Sequence, residues 1–139
     1  MIAQSLSKRR IAITGSTGFV GTALVERLLR GIPDCELILL VRDGRRTPAA
    51  RRTTREILAN DAFDRLREDH ATSDESFDDM CARRITTIAG DVSADGLGLS
   101  DEDRMIFSTA DTIIHSAATV SFDSPLDQAV EINLLGPVR

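Results

Sequence analysis

Apolar residues follow two rhythms along this chain. Short runs rich in β-branched side chains recur at "RIAIT" (Arg10 to Thr14), "ELILLVR" (Glu36 to Arg42), "ITTIAGD" (Ile85 to Asp91) and "DTIIHSAA" (Asp111 to Ala118). Runs of this length and composition predict strands buried on both faces. Between them the spacing becomes helical. "TALVERLLR" puts Ala23, Leu24, Leu28 and Val25, Leu29 on one side, and the helix should stop at Gly31 with Pro33 just beyond. "RRTTREILAN" predicts a modest helix. "LSDEDRMIFSTA" predicts another, with Ser100 as N-cap and Asp103 at the third position, a weaker capping box. "PLDQAVEINLLG" opens a last one. Residues 61–83 are mostly acidic and polar. Phe63, Leu66, Phe77 and Met80 anchor two short amphipathic helices there, and the segment reads as a surface insertion.

Strands alternating with helices argue a parallel sheet with right-handed crossovers on both faces. The expected fold is therefore α/β, the N-terminal part of a doubly wound Rossmann-type parallel sheet with about four strands and flanking helices. Residues 1–139 read as one domain, since neither repeats nor a linker divide them.

The first strand leads into "GSTGFVG", with glycines at 15, 18 and 21. Each has a separate task in a dinucleotide turn. Gly15 permits the sharp exit from the strand, Gly18 admits a pyrophosphate close to the backbone, and Gly21 lets helix pack on strand. The helix N-terminus then offers free N–H groups to phosphate. The spacing G-x-x-G-x-x-G is one residue longer than the tightest fingerprint and lacks the G-K-[ST] ending of a P-loop, which argues against triphosphate hydrolysis. A glycine-rich strand–helix turn with no ligand is the plain alternative. Its position between an apolar strand and an amphipathic helix favours the cradle.

The end of the second strand separates the cofactors. An acidic residue there accepts from the ribose 2′-OH of NAD, whereas an arginine suits the 2′-phosphate of NADP. Here Arg42 continues the strand, and Arg45, Arg46, Arg51, Arg52 and Arg55 follow. Guanidinium groups grip phosphate in bidentate fashion, so NADPH is the expected cofactor. Asp43 is the rival that would favour NAD, and a solvated basic loop accounts for part of the arginine group.

Composition narrows the picture further. A net charge of −5 gives no overall pull toward nucleic acid or anionic membrane. No apolar run approaches the ~20 residues of a membrane span. The N-terminus lacks the charge order of a signal peptide. Cys35 and Cys81 match no metal spacing, so no metal is expected, and a cytoplasmic location is. Tyrosine is absent, and Lys8 is the only lysine among seventeen basic residues.

The segments "ITGSTGFVG", "LLVR", "AGDVSADGLGLSDED", "IIHSAATVSFDSPL" and "EINLLG" together resemble the extended short-chain dehydrogenases that reduce fatty acyl-CoA and carrier-bound acyl thioesters, with the fatty acyl-CoA reductases nearest. The resemblance implies that Thr17, Gly18, Phe19 and Val20 line the pyrophosphate, with Gly15, Ser16 and Gly21 completing the cofactor-binding turn. It gives Arg42, with Arg52, the 2′-phosphate. It sets Asp91 and Val92 at the adenine, although a turn aspartate bonding its own backbone is equally ordinary at Asp91. Ser116, Ala117 and Ala118 would pass beside the riboses, and His115 packs at the strand end. Asn133 matches the asparagine of the family's Asn-Ser/Thr-Tyr-Lys proton relay and is the one catalytic candidate.

Two departures stand out. Pro137 replaces the threonine usual after the glycine, and a proline cannot donate to the carbonyl four residues back, here that of Asn133. In the family this carbonyl holds a water leading to the catalytic lysine. The family's Tyr-x-x-x-Lys also lies beyond Asn133, so this chain reads as an NADPH-binding portion that needs the remaining C-terminal part of a reductase for activity. A non-catalytic NADP-binding or interaction module is the alternative. A fragment of a nucleotide-sugar epimerase or dehydratase fits "AATVSFD" less well.

Overall fold

The computed structural model describes residues 2–119, 123 and 125–138. Strands β1 (Arg10–Thr14), β2 (Glu36–Val41), β3 (Ile85–Ala89) and β4 (Thr112–His115) form one parallel sheet in the order β3-β2-β1-β4. This is the order of the first four strands of a doubly wound dinucleotide sheet. β1 has the expected bounds. β4 is shorter than its apolar run, for a geometric reason. β1 turns away at Gly15, so the last pair is Thr14 with His115, and residues 116–118 run on beyond the ladder. β2 and β3 likewise end at the pair Val41 with Ala89, leaving Arg42 and Asp91 just past the sheet.

Strand alternation splits the core into two layers. Ile11, Ile13, Leu37 and Leu39 face one side, and Ala12, Ile38, Leu40 and Ile88 face the other. A short helix α1 (Ile2–Leu6) precedes β1. The first side is covered by α2 (Phe19–Gly31), α3 (Ala49–Arg52), α4 (Asp64–Ala71) and α5 (Phe77–Arg84). The second side meets Leu97 and the partly buried Ile106 and Phe107 of α6 (Asp101–Ser108). α6 starts as expected, with Ser100 Oγ accepting from the Asp103 N–H at 3.1 Å. In α2 the buried face is Thr22, Val25, Glu26, Leu28 and Leu29, while Ala23 is exposed. Glu26 sits in that face because Arg30, one turn on, donates to it at 2.6 Å.

Residues 61–83 form the two short amphipathic helices expected, α4 and α5, but these pack into the core and are not a surface insertion. Phe63, Leu66, Met80 and Cys81 are buried in the first layer, and Phe63 meets Phe77 edge to face with ring centres 6.1 Å apart. Arg84 closes this layer. It is 4% exposed and donates to the carbonyls of Leu29 (2.7 Å), Ile32 (2.5 Å) and Cys35 (3.0 Å). A cation at a helix C-terminus satisfies carbonyls that the helix leaves open.

Two helices widen by one residue per turn. α3 runs into a π-helical stretch, Thr53–Leu58, and α7 (Leu126–Val130) runs into another, Glu131–Leu135, before a tight turn at Gly136–Val138. Val120, Ser121, Phe122 and Ser124 of the "HSAATVSFDS" segment lie outside the described residues.

Candidate functional site

A cleft of about 560 Å³ crosses the C-terminal ends of the four strands. It lies where the chain, having built outward from β1 through β2 and β3, returns to place β4 on the other side of β1. Open α/β sheets bind ligands at such a switch point. Gly15, Thr17, Gly18, Arg42, Arg52, Asp91, Val92, Ser116, Ala117 and Ala118, all named from the sequence, line it.

The glycine turn is built by close approach. Gly15 has φ +72°, and a Cβ there would lie 2.5 Å from the Ala117 nitrogen. A Cβ on Gly21 would lie 2.1 Å from the Gly15 carbonyl oxygen. The turn is braced by Gly18 N–H to Gly15 O (3.0 Å) and Thr22 Oγ1 to Ser16 O (3.0 Å). Gly18 is the N-cap of α2, and no side chain caps the first helical turn. Its open N–H groups are thus available to an anion. Gly21 and Ser16 are buried behind the turn, not in the cleft wall. Phe19 and Val20 point outward at 94% and 66% exposure, and Phe19 borders a separate cavity of about 170 Å³ shared with Glu56, Asn60 and Ala62.

At the β2 end of the cleft, both candidate arginines have carboxylate partners. Arg42 Nη1 lies 3.6 Å from Asp91 Oδ2. Arg52 donates to the Glu56 carboxylate from Nε (2.8 Å) and Nη2 (2.7 Å), and from Nη1 to the Arg42 carbonyl (2.6 Å). Asp43 does not line the cleft, and its Oδ1 accepts from the Ala49 N–H at 2.7 Å, at the start of α3. The acidic rival to Arg42 is therefore occupied in starting a helix.

Asp91 combines the two arrangements read from the sequence. Its Oδ1 accepts from the Ser93 N–H (2.9 Å) and hydroxyl (2.7 Å), a turn closed on its own backbone, while the residue also borders the cleft. Its N–H donates to the Leu97 carbonyl at 2.8 Å, across a turn in which Leu97 itself has φ +60°. Partial burial works to raise the Asp91 carboxyl, but the Ser93 bonds and the Arg42 charge outweigh it and hold the pKa below the ordinary value.

On the opposite wall, Asn133 does not line the cleft. Its Oδ1 accepts from the Thr119 N–H (2.8 Å) and its Nδ2 donates to the Thr119 carbonyl (2.9 Å). The side chain thus pins the strip that follows β4. His115 Nδ1 is 2.9 Å from Thr14 Oγ1, in keeping with a packing role at the strand end. Leu40, Val41, Gly90, Thr119, Gln128 and Ile132 complete the lining. All but Gln128 lie within the segments quoted for the family resemblance, though none is singled out there; at Gly90 a Cβ would meet the Leu97 carbonyl at 2.9 Å.

Among the described residues no helix is long and apolar enough to cross a membrane, and no cluster of potential ligands could hold a metal ion.

Residues 13–139 match the NAD-binding family model described as "Male sterility protein". Fatty acyl-CoA reductase 1 of Arabidopsis thaliana is 35% identical over 139 residues, covering 98% of this chain and 28% of its own length. Fatty acyl-CoA reductase 1 of Mus musculus is 35% identical over 130 residues, covering 91% and 23%. The chain thus spans about a quarter of the length of these relatives. Among solved structures, the terminal R domain of the myxalamid PKS-NRPS pathway is 28% identical with a TM-score of 0.67, covering 94% of this chain and 30% of that one. The reductase (R) domain of a non-ribosomal peptide synthetase from Mycobacterium tuberculosis is 32% identical with a TM-score of 0.60, covering 88% and 28%.

Proposed function

This chain belongs to the NAD-binding family of male sterility proteins, and from that premise we propose that it forms the NADPH site of a cytoplasmic reductase acting on fatty acyl-CoA or carrier-bound acyl thioesters. The cofactor, when bound, would supply a hydride to the thioester carbonyl, whose C–S bond breaks to release the CoA or carrier thiol and leave an aldehyde, and a second hydride and a proton would give an alcohol. The residues present fit such a dinucleotide. A backbone turn that excludes Cβ atoms and an uncapped helix start suit the pyrophosphate at Thr17, Gly18, Phe19 and Val20. Arg42 and Arg52 hold the 2′-phosphate. Asp91 Oδ2, with Val92, meets the adenine, and the small side chains of Ser116, Ala117 and Ala118 leave room for the riboses.

Asn133 acts by position. Its side chain is spent on Thr119. Pro137 has no N–H to give the carbonyl four residues back, but Asn133 lies in the π-helical stretch Glu131–Leu135, where carbonyls pair five residues on, so the proline does not by itself free that oxygen. The chain has no tyrosine to protonate the carbonyl, and Lys8 precedes β1, at the opposite end of the strands from the cleft. Alone, it binds cofactor without turnover.

The observation that carries the NADPH preference is the position of Asp43 on the Ala49 N–H, which leaves Arg42 as the first cleft-lining charge after β2. Isothermal titration of the chain with NADPH and NADH, and again with Arg42→Ala, tests it. NADPH should bind at least tenfold more tightly, with most of the margin lost in the variant. Equal affinities in the native chain defeat the assignment.

A further inference from the structure

Arg42 and Arg52 account for two of six arginines between residues 42 and 56. Arg45, Arg46, Arg51 and Arg55 are all exposed, and among the described residues none of them makes an ion pair. With only Asp43 and Glu56 in the same stretch, the segment carries +4 in a chain whose total is −5. Both of those carboxylates are engaged, Asp43 on a helix start and Glu56 on Arg52. The β2 end of the cleft, where Arg42 and Arg52 line it, is therefore continuous in the chain with a local excess of positive charge.

We propose that Arg45, Arg46, Arg51 and Arg55 form a steering surface for the phosphorylated dinucleotide, acting on its rate of arrival and its orientation without being part of its bound site. This rests on the NADPH reading above. A cleft bordered by one sign of charge concentrates an oppositely charged ligand and raises its on-rate. Arg45 and Arg46 follow Arg42 by three and four residues, and Arg51 and Arg55 neighbour the cleft-lining Arg52 in the chain. Attraction between exposed charges acts over about a Debye length, ~8 Å at physiological salt. The excess lies at one end of the cleft only, so it draws the 2′-phosphate end of the ligand to the arginine side. Because the effect needs charge and not the guanidinium fork, lysine should replace arginine at all four positions without loss.

The test is stopped-flow mixing of the 139-residue chain with NADPH, following nicotinamide fluorescence at a series of salt concentrations. Three proteins are compared: the native chain, a variant with all four arginines changed to Gln, and one with all four changed to Lys. At low salt the Gln variant should associate about tenfold more slowly, with an unchanged off-rate, and the difference should vanish at high salt. The Lys variant should match the native chain. Equal on-rates for the native and Gln proteins at low salt overturn the proposal while leaving the cofactor reading intact. A loss confined to the off-rate also overturns it, since that is the mark of direct contact. A native chain that binds no NADPH at equilibrium removes both readings.

Discussion

Asn133 and Thr119 are joined side chain to main chain by a matched pair of hydrogen bonds, 2.8 and 2.9 Å long. The amide of Asn133 serves Thr119 as a neighbouring strand would, giving one acceptor and one donor to residues that run past the end of β4. Ser116 and Ala117 are still tied to Thr14 at the end of β1, by Ser116 N–H (3.2 Å) and Oγ (2.8 Å) to its carbonyl and Ala117 N–H to its Oγ1 (3.4 Å). The Asn133 anchor holds the strip one step further on. Asn133→Ala should cost about 1–2 kcal/mol, lower the melting temperature by a few degrees and weaken NADPH binding severalfold. Asn133→Asp keeps the acceptor but sets a carboxylate against the Thr119 carbonyl, and should be worse. Unchanged melting and affinity in both would show that the strip holds itself.

The Arg42–Asp91 pair makes a pH prediction. The folded Asp91 carboxyl lies below its ordinary pKa of 3.8, so the folded state binds this proton less readily than the unfolded chain. Its contribution to stability is present above about pH 4 and is lost as pH falls through the lowered value. Asp91→Asn lacks this contribution, so the native-minus-variant stability difference should be constant at neutral pH and shrink as pH falls below about 4. The same change frees Arg42 of a competing charge while leaving an acceptor for adenine, so NADPH selectivity over NADH should rise. A fall in selectivity would mean that Asp91 aims Arg42 more than it competes for it.

Glycines 21 and 31 bracket α2 and should respond oppositely to alanine. A Cβ at Gly21 falls 2.1 Å from a main-chain oxygen, whereas at Gly31 it meets only the Arg27 side chain at 3.8 Å. Gly21→Ala should destabilise by at least about 2 kcal/mol through overpacking. Gly31→Ala should be neutral or stabilising by about 0.5–1 kcal/mol through helix propensity. Urea unfolding of the two variants decides this.

The thiols should be silent in the folded protein. Burial, and secondarily the nearby Asp78, pushes the Cys81 thiol up to about 11, and Cys35 is fully buried. Thiolate is the reacting form, so alkylation at pH 8 should label neither cysteine until denaturant is added, and then both. Rapid labelling of the native chain would contradict the packing of α5.

What could be read from the sequence depended on whether the signal was local. β1, the Ser100 cap and the glycine turn are defined by adjacent residues, and the structure has them with the expected bounds. The ends of β2, β3 and β4 were overextended, because an apolar run does not reveal where its neighbour turns away. In residues 61–83 the spaced apolar residues mark the two helices and their anchors Phe63, Leu66 and Met80, but charge on every side hides how deeply those anchors enter the core. The cleft arginines were visible, but their carboxylate partners were not. Glu56 lies one turn from Arg52, whereas Asp91 meets Arg42 from 49 positions further along the chain.

Arg84 imposes an order in time. The carbonyls it satisfies belong to Leu29, Ile32 and Cys35, some fifty residues earlier in the chain. Until residue 84 has been synthesised and has left the ribosome, the end of α2 and its passage into β2 must keep their bonds to water. The glycine cradle can take shape early, since its bracing contacts join residues 15–22. The layer behind it is sealed only when α5 swings this guanidinium into place.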